Sequence, residues 1–505
     1  MVLLANSRRS LLRVERPDRR LAAFVGAALF VFLIPSWIYV STMSPVGDPQ
    51  NAWPLMLVVQ LAAFRLVWIL GSSERHLYEM VFWLFVYVFL GLAPFVQARW
   101  GAELDTTPHL NHAYHDDAAM LVLASSIAWI FGSTLGARGV TSGPARARLV
   151  VSQRRAQWFF GGAFILAVYY VQSVGFSVLF ESRGALSSAI GTAWPNSAVA
   201  NLMSGGVAMG LLVAYVAQVQ ALDHAEGSHA RFARAMIMTN LVVLLVCVNP
   251  VSSPRYVFGT VLLAVLATTG VYSTMRGFRI MTIAAVLGFI ILFPVADMFR
   301  RVTGGRSLDF GPINALVSGD FDAFAQIVNA MEYVKETGIA WGEQLAGALL
   351  LWVPRSIWPE KPVPTSWLLA DFKGYSFSNL SAPIWAEFFV DGGWPLVILG
   401  MLFLGFFFRR IDRRADAAAQ EGRTPGLLAC ILPFYMVIVW RGSLMGVTGG
   451  LMVVLVGALL VSKWHLRLET PVLRSEEPGA TSDGLPRPSK VPAVKGNGVI
   501  DSGWV

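Results

Sequence analysis

The chain has 505 residues, 55% of them hydrophobic and only 14% charged. A soluble domain carries about 25% charged residues, so lipid has to absorb the deficit. A net charge of +8 would suit nucleic acid, but the placement of the Lys and Arg residues argues against that partner, as the order of the segments shows.

Residues 1–20 form a basic lead with Arg8, Arg9, Arg13, Arg16, Arg19 and Arg20. An apolar run without a small-residue cleavage pattern follows and reads as a retained signal anchor. Apolar runs then recur near 21–42, 53–71, 78–97, 118–137, 157–175, 197–221, 235–249, 256–273, 280–297, 384–408, 425–440 and 443–462. Each approaches the roughly 20 residues that cross a bilayer core. With the N-terminus in the cytoplasm, the short connections on the far side carry only Arg99, Arg183, Arg255 and Arg441. Arg65 lies within a span, where it needs an acid or a carbonyl. Every other cation sits on the cytoplasmic side or in one long loop, where the positive-inside rule has little force. The basicity is therefore topological. Cys247 and Cys430 fall at different depths and cannot pair.

This reading gives an all-α polytopic integral membrane protein with about 12 transmembrane helices. Residues 1–20 form the cytoplasmic lead and 21–297 the first nine helices. Residues 298–383 form one large extracytoplasmic loop, 384–463 the last three helices, and 464–505 a disordered cytoplasmic tail rich in Pro and Gly.

The long loop is the place to look for chemistry, because loops held by a rigid scaffold carry function. Phe321, Phe324, Val328, Met331 and Val334 recur at helical spacing with Gln326, Asn329, Glu332 and Lys335 between them. That pattern predicts an amphipathic helix on the bilayer surface, with Asp320 as a cap. Residues 342–353 are too short to span and should be interfacial or re-entrant. The Pro-rich run from Val353 to Pro362 follows, carrying Arg355 and Lys361. Asp391-Gly392-Gly393-Trp394-Pro395 then interrupts the tenth span, which puts Glu387 on a short half-helix ahead of a break.

Arg183, Arg255, Arg355, Lys361 and Arg441 all face the same compartment in this topology. Guanidinium groups hold phosphate oxygens in bidentate fashion, so a set of this kind suits a lipid-linked pyrophosphate. The alternative for each is snorkelling to headgroups. Glu387, one turn into an apolar helix, is stripped of water, a condition that suits a general base near pH 7. Its alternative is an ion pair with one of the arginines. Asp297, Asp320, Asp371 and Asp391 are weaker candidate acids. His109, His112 and His115 have spacings that suit metal ligands, but they read as a solvated loop, so no metal site is expected. No Walker motif, dinucleotide loop or Ser-His-Asp set is visible, which argues against ATP-driven transport.

These features together resemble the O-antigen or oligosaccharide repeat-unit polymerases. The resemblance rests on Pro254-Arg255-Tyr256 opening a span, Asp320-Phe321-Asp322-Ala323-Phe324, Val353-Pro354-Arg355 with Lys361-Pro362, and Ala386-Glu387-Phe388-Phe389 before Gly392-Gly393. It implies a GT-C-like, metal-independent glycosyltransferase of the bacterial inner membrane that needs no cofactor, with both termini cytoplasmic. Its donor and acceptor would be undecaprenyl-pyrophosphate-linked glycans, and its partners the bilayer, a chain-length regulator and a flippase. Arg255, Arg355 and Arg441 would hold the donor pyrophosphate, and Glu387 would take the acceptor proton. The related O-antigen ligases often carry a functional His in the large loop, and residues 298–383 contain none. The rival readings are a lipid-linked oligosaccharide flippase or other secondary transporter, and a structural partner in an envelope complex.

Overall fold

The computed structural model describes residues 19–138, 147–222, 227–292, 313–420 and 425–466. The basic lead up to residue 18, the C-terminal tail beyond 466, and Asp297, Arg300, Arg301 and Arg306 lie outside them. In chain order the helices are α1 Arg19–Ser41, α2 Trp53–Gly71, α3 Leu77–Trp100 and α4 His112–Ala137. Next come α5 Gln153–Val174, α6 Arg183–Ala193, α7 Ser197–Leu222, α8 Gly227–Cys247, α9 Arg255–Thr268 and α10 Met275–Leu287. The loop supplies α11 Ala323–Thr337, α12 Glu343–Leu349 and α13 Thr365–Lys373, and the chain closes with α14 Ile384–Gln420, α15 Leu427–Arg441 and α16 Leu444–Val461.

Among the described residues, 8 helices are long and apolar enough to cross a membrane: α1 to α4, α7, α8, α14 and α16. The protein is therefore a mostly helical, multi-pass membrane protein. The other four apolar runs also fold as helices, α5, α9, α10 and α15, of which α9 and α15 are short apolar helices of 14 and 15 residues. One small addition to the all-helical expectation is a ribbon of β1 Ala147–Val151 and β2 Ser462–Leu466. It is antiparallel, with Val151 opposite Ser462, and so brings the connections after α4 and after α16 to the same end of the bundle.

The core forms around α3, whose apolar window is buried throughout. A helix hydrophobic all round belongs in the middle of a bundle. Phe82 stacks on Trp129 at 3.6 Å between centroids, and Trp385 and Trp440 close on the same ring. The Trp385 indole N–H donates to Ser125 Oγ at 2.8 Å, which satisfies a donor that lipid would leave bare. Trp385 is two residues before Glu387, so this aromatic cluster forms the floor under the candidate site.

α4 and α14 make the closest helix pair, because glycine removes the side chains at their crossing. A Cβ on Gly132 would stand 1.9 Å from the Leu402 carbonyl oxygen, and one on Gly136 2.4 Å from that of Phe406. From the other side, a Cβ on Gly405 would meet the Trp129 oxygen at 2.4 Å. Small residues four apart allow this approach in membranes. α14 itself breaks where the sequence predicts. Gly393 has φ 60° and ψ −154°, a conformation that strains any L side chain, and Pro395 follows.

Two expectations are overturned. α11 does not lie on a bilayer surface: every residue from Ala323 to Glu332 is buried, including Gln326 and Asn329. It packs on α14, α13 and α4, and its polar residues find partners inside the protein. Glu332 accepts from Asn111 Nδ2 at 2.8 Å and from Lys373 Nζ at 2.6 Å. Nor does Asp320 cap α11. Asp322 occupies the N-cap position, and its carboxylate bonds elsewhere.

At the far end of the bundle a second polar group is buried. Arg65 pairs with Glu79 at 3.0 Å, as a charge inside a span requires. Arg75 pairs with Asp416 at 2.7 Å and Arg409 with Glu74 at 2.6 Å, while Asp412 accepts the N–H groups of Tyr78 and Glu79. These pairs lock the α2–α3 turn to the end of α14.

The α4–α14 crossing carries a direct test. Gly132→Leu should lower the melting temperature and membrane yield sharply, costing about 3 kcal/mol or more because backbone blocks the added side chain. Gly162→Ala, where a Cβ meets nothing within 4 Å, should leave thermal unfolding in detergent unchanged.

Candidate functional site

The site lies where the long loop meets the first turns of α9, α14 and α16 and the last turn of α15. Arg255 is the first residue of α9. The turn before it is fixed by Asn249 Nδ2 and Ser252 Oγ, which donate to the Leu179 carbonyl at 2.8 Å and 2.6 Å. Arg441 ends α15, and only Gly442 and Ser443 separate it from α16. The two helices therefore place one cation and one hydroxyl side by side with no slack between them.

Both arginines meet the same turn of the loop, Gly319–Phe321 and Asp322. Arg255 Nη1 pairs with Asp320 Oδ2 at 3.1 Å. Arg441 Nη2 pairs with Asp322 Oδ1 at 3.3 Å, and its Nε donates to the Asp320 carbonyl at 3.3 Å. The Arg441 guanidinium also lies 5.4 Å from the centre of the Tyr256 ring, within cation–π range. Asp322 is fully enclosed and accepts from Ser381 N at 3.0 Å and Ser381 Oγ at 2.5 Å. Burial pushes its carboxyl above the usual aspartate range, while Arg441 and the Ser381 donors pull it back toward the charged form.

Glu387 sits on the first turn of α14 and is 1% exposed. Its donors are all neutral. Oε2 accepts from Thr365 Oγ1 at 2.6 Å, and Oε1 accepts from Ser443 Oγ at 2.8 Å and from the Leu444 N–H at 2.7 Å. The last of these is a free N–H at the start of α16, where the helix dipole favours a negative group. The Gln344 side-chain amide lies 3.3 Å from the same Thr365 hydroxyl, and the Thr365 N–H donates to Ser443 Oγ at 3.1 Å. The N–H groups of Gln344 and Leu345 end on Asp391 at 3.0 Å and 2.8 Å. One chain of bonds thus runs from Asp391 through Thr365, Glu387 and Ser443. The Arg441-Gly442-Ser443 connection carries it on to Arg441, Asp322 and Asp320, where Arg255 joins.

The sequence-picked residues divide accordingly. Arg255, Arg441 and Glu387 come together. Among the described residues Glu387 makes no ion pair, because hydroxyls and a helix N-terminus take its oxygens. Arg355 and Lys361 bond to backbone instead. Arg355 donates to the carbonyls of Lys361 and Pro362 at 2.6 Å and 3.1 Å, and Lys361 Nζ to those of Leu351 and Val353 at 2.8 Å and 3.0 Å. Burial, with Arg355 beside it, pushes the Lys361 ammonium below the ordinary lysine value. The two cations close the Pro-rich turn on itself. Arg183 starts α6, four residues past the Leu179 carbonyl to which the Arg255 turn is tied. Among the weaker acids, Asp391 anchors α12, Asp320 is an arginine partner and Asp371 is exposed. Among the described residues no group of His, Cys, Asp and Glu could hold a metal ion, so His109, His112 and His115 form no such set.

No family model, curated protein or solved structure matches this chain.

Sequence reasoning missed Asp322, Ser381, Thr365, Gln344 and Tyr256 as members of the network. Ser443 carried a signal, since it lies two residues after the pinned Arg441. Asp322 lay within the Asp-Phe-Asp run but could not be ranked above Asp320 until a partner was visible.

Removing the buried carboxylate gives a clear expectation. Asp322→Ala should cost about 3–5 kcal/mol, because Arg441 and the Ser381 N–H lose their acceptor together. Arg441→Ala in the same background should then cost much less than it does alone, and a thermal double-mutant cycle reads that coupling.

Proposed function

We propose that the chain is a membrane glycosyltransferase that joins oligosaccharide units carried on a polyprenyl pyrophosphate, at the end of the bundle where the long loop packs. The observation that carries the reading is the convergence of Arg255 and Arg441 on one loop residue, Asp320, with Glu387 held next door through Ser443. Cleaving a glycosyl–phosphate bond leaves negative charge on the pyrophosphate, and fixed cations aimed at that charge are the largest aid to such a reaction. Glu387 accepts the proton of the acceptor hydroxyl. The freed oxygen bonds to the anomeric carbon, and the carbon–oxygen bond to phosphate breaks with its electron pair going to the pyrophosphate. One base is enough, because that leaving group needs no protonating acid.

Two arginines opposite two aspartates carry no net charge, so a pyrophosphate has to displace a carboxylate. Asp320 is the one to yield. Its side chain is 22% exposed and sits on a short turn after Gly319, whereas Asp322 is enclosed by three donors. This reading reduces the substrate-binding cations to Arg255 and Arg441, with Arg355 and Lys361 as scaffold. A bacterial inner membrane, with the site on its outer face, is the setting that goes with it.

In a strain whose surface polysaccharide depends on this chain, Glu387→Gln should remove long glycans while single repeat units still reach the surface. In vitro it should slow bond formation by about 10²–10⁴-fold, the range for a lost general base. Complete loss of surface glycan would point to lipid-carrier translocation instead. Asp320→Asn should lower the KM for the donor severalfold and leave kcat nearly unchanged.

A further inference from the structure

The long loop also exposes an apolar surface that the Glu387 network does not use. Leu349, Trp352 and Ile357 are 69%, 76% and 75% exposed. Water is a poor neighbour for such a set, and its depth in the bundle supplies another. α16 has 18 residues, a rise of about 27 Å. A hydrocarbon core is about 30 Å thick, so the whole helix is needed to cross it and Leu444 falls at its edge. Gly449 then lies about 7 Å inside. Leu351 packs there: a Cβ on Gly449 would meet its Cδ2 at 3.7 Å. About one turn before, a Cβ on Gly347 would stand 2.5 Å from Met445 and 2.6 Å from Pro362. α12 and the turn after it therefore run beside the first turns of α16, below the level where that helix begins.

Irregular backbone at this depth must satisfy its own carbonyls. The bonds of Lys361 to Leu351 and Val353, and of Arg355 to Lys361 and Pro362, do so. At the other end Asp391 takes the N–H groups that open α12. Gly449 also shares a helical face with Met452 and Val456, which are 41% and 49% exposed on a span. The apolar surface of the loop thus continues the lipid-facing stripe of α16.

We infer that residues 343–362 form a re-entrant wedge seated among the acyl chains of the leaflet at the Glu387 end. Leu349, Trp352 and Ile357 face lipid tails, and Arg355, which is exposed, lies at the level of the lipid phosphates. The wedge returns through Pro362 and Pro364 directly into Thr365, a partner of Glu387. It is thereby the wall between the bilayer and the buried carboxylate. The assignment does not depend on the reaction proposed above.

The test uses the full chain in vesicles of phosphatidylcholine and phosphatidylglycerol. Nitroxides are attached after Trp352→Cys, Ile357→Cys and, at the exposed end of α11, Glu336→Cys; the native Cys247 and Cys430 are buried. Power saturation reads collisions with oxygen, which concentrates in lipid, and with a neutral nickel chelate, which stays in water. Positions 352 and 357 should show an oxygen-to-nickel ratio severalfold above that at 336. A ratio at 352 equal to that at 336 places the loop in water and overturns the wedge. Low accessibility to both reagents means that protein covers the patch, which overturns the lipid assignment. Leu349→Cys supplies the same reading if the tryptophan variant does not fold.

Discussion

The Glu387 carboxylate organises this end of the molecule. It is buried, yet it is balanced by hydroxyls and a helix N-terminus instead of a counter-charge. Those three bonds tie the loop at Thr365, the α15–α16 connection at Ser443 and the start of α16 to the first half of the broken α14. A carboxylate stabilised only by neutral donors is held in place without being neutralised. A salt bridge would stabilise its charge further and blunt its basicity. The break at Gly393 makes the arrangement possible, because it frees the half-helix that carries Glu387 and Asp391 from the axis of the long span.

The charges divide between two ends of the bundle with different designs. At the far end, Arg65, Arg75 and Arg409 are matched to Glu79, Asp416 and Glu74, joining α2, the α2–α3 turn, α3 and α14. Such pairs are costly to break and leave little room for a ligand. At the loop end the arginines meet carboxylates contributed by a short turn, Asp320 partly exposed and Asp322 enclosed. What sets the loop end apart is that its two arginines meet one loop turn beside Glu387.

Much of the architecture was legible because lipid imposes a simple rule. The apolar runs are helical over most of their described residues, and the Asp-Gly-Gly-Trp-Pro run marks a real break, since Gly and Pro act on the local backbone. The convergence of Arg255, Arg441 and Glu387 followed from their places at span ends. What the sequence did not disclose were partners distant along the chain. α11 alternates apolar and polar residues like a surface helix, but Glu332 meets Asn111 and Lys373, so its polar side is buried too. Arg355 and Lys361 look like free cations in a loop, and only the folded turn shows that they hold carbonyls. Periodicity reports which residues share a face, not what covers it.

The most direct measurement is a reconstitution. The purified chain, alone in liposomes, is given one polyprenyl-pyrophosphate-linked oligosaccharide, and both glycan length and free polyprenyl pyrophosphate are followed. The account predicts chains that grow by whole repeat units, with one lipid pyrophosphate released per bond formed. An oligosaccharide that stays a single unit on its original carrier, with a folded protein present, would contradict it.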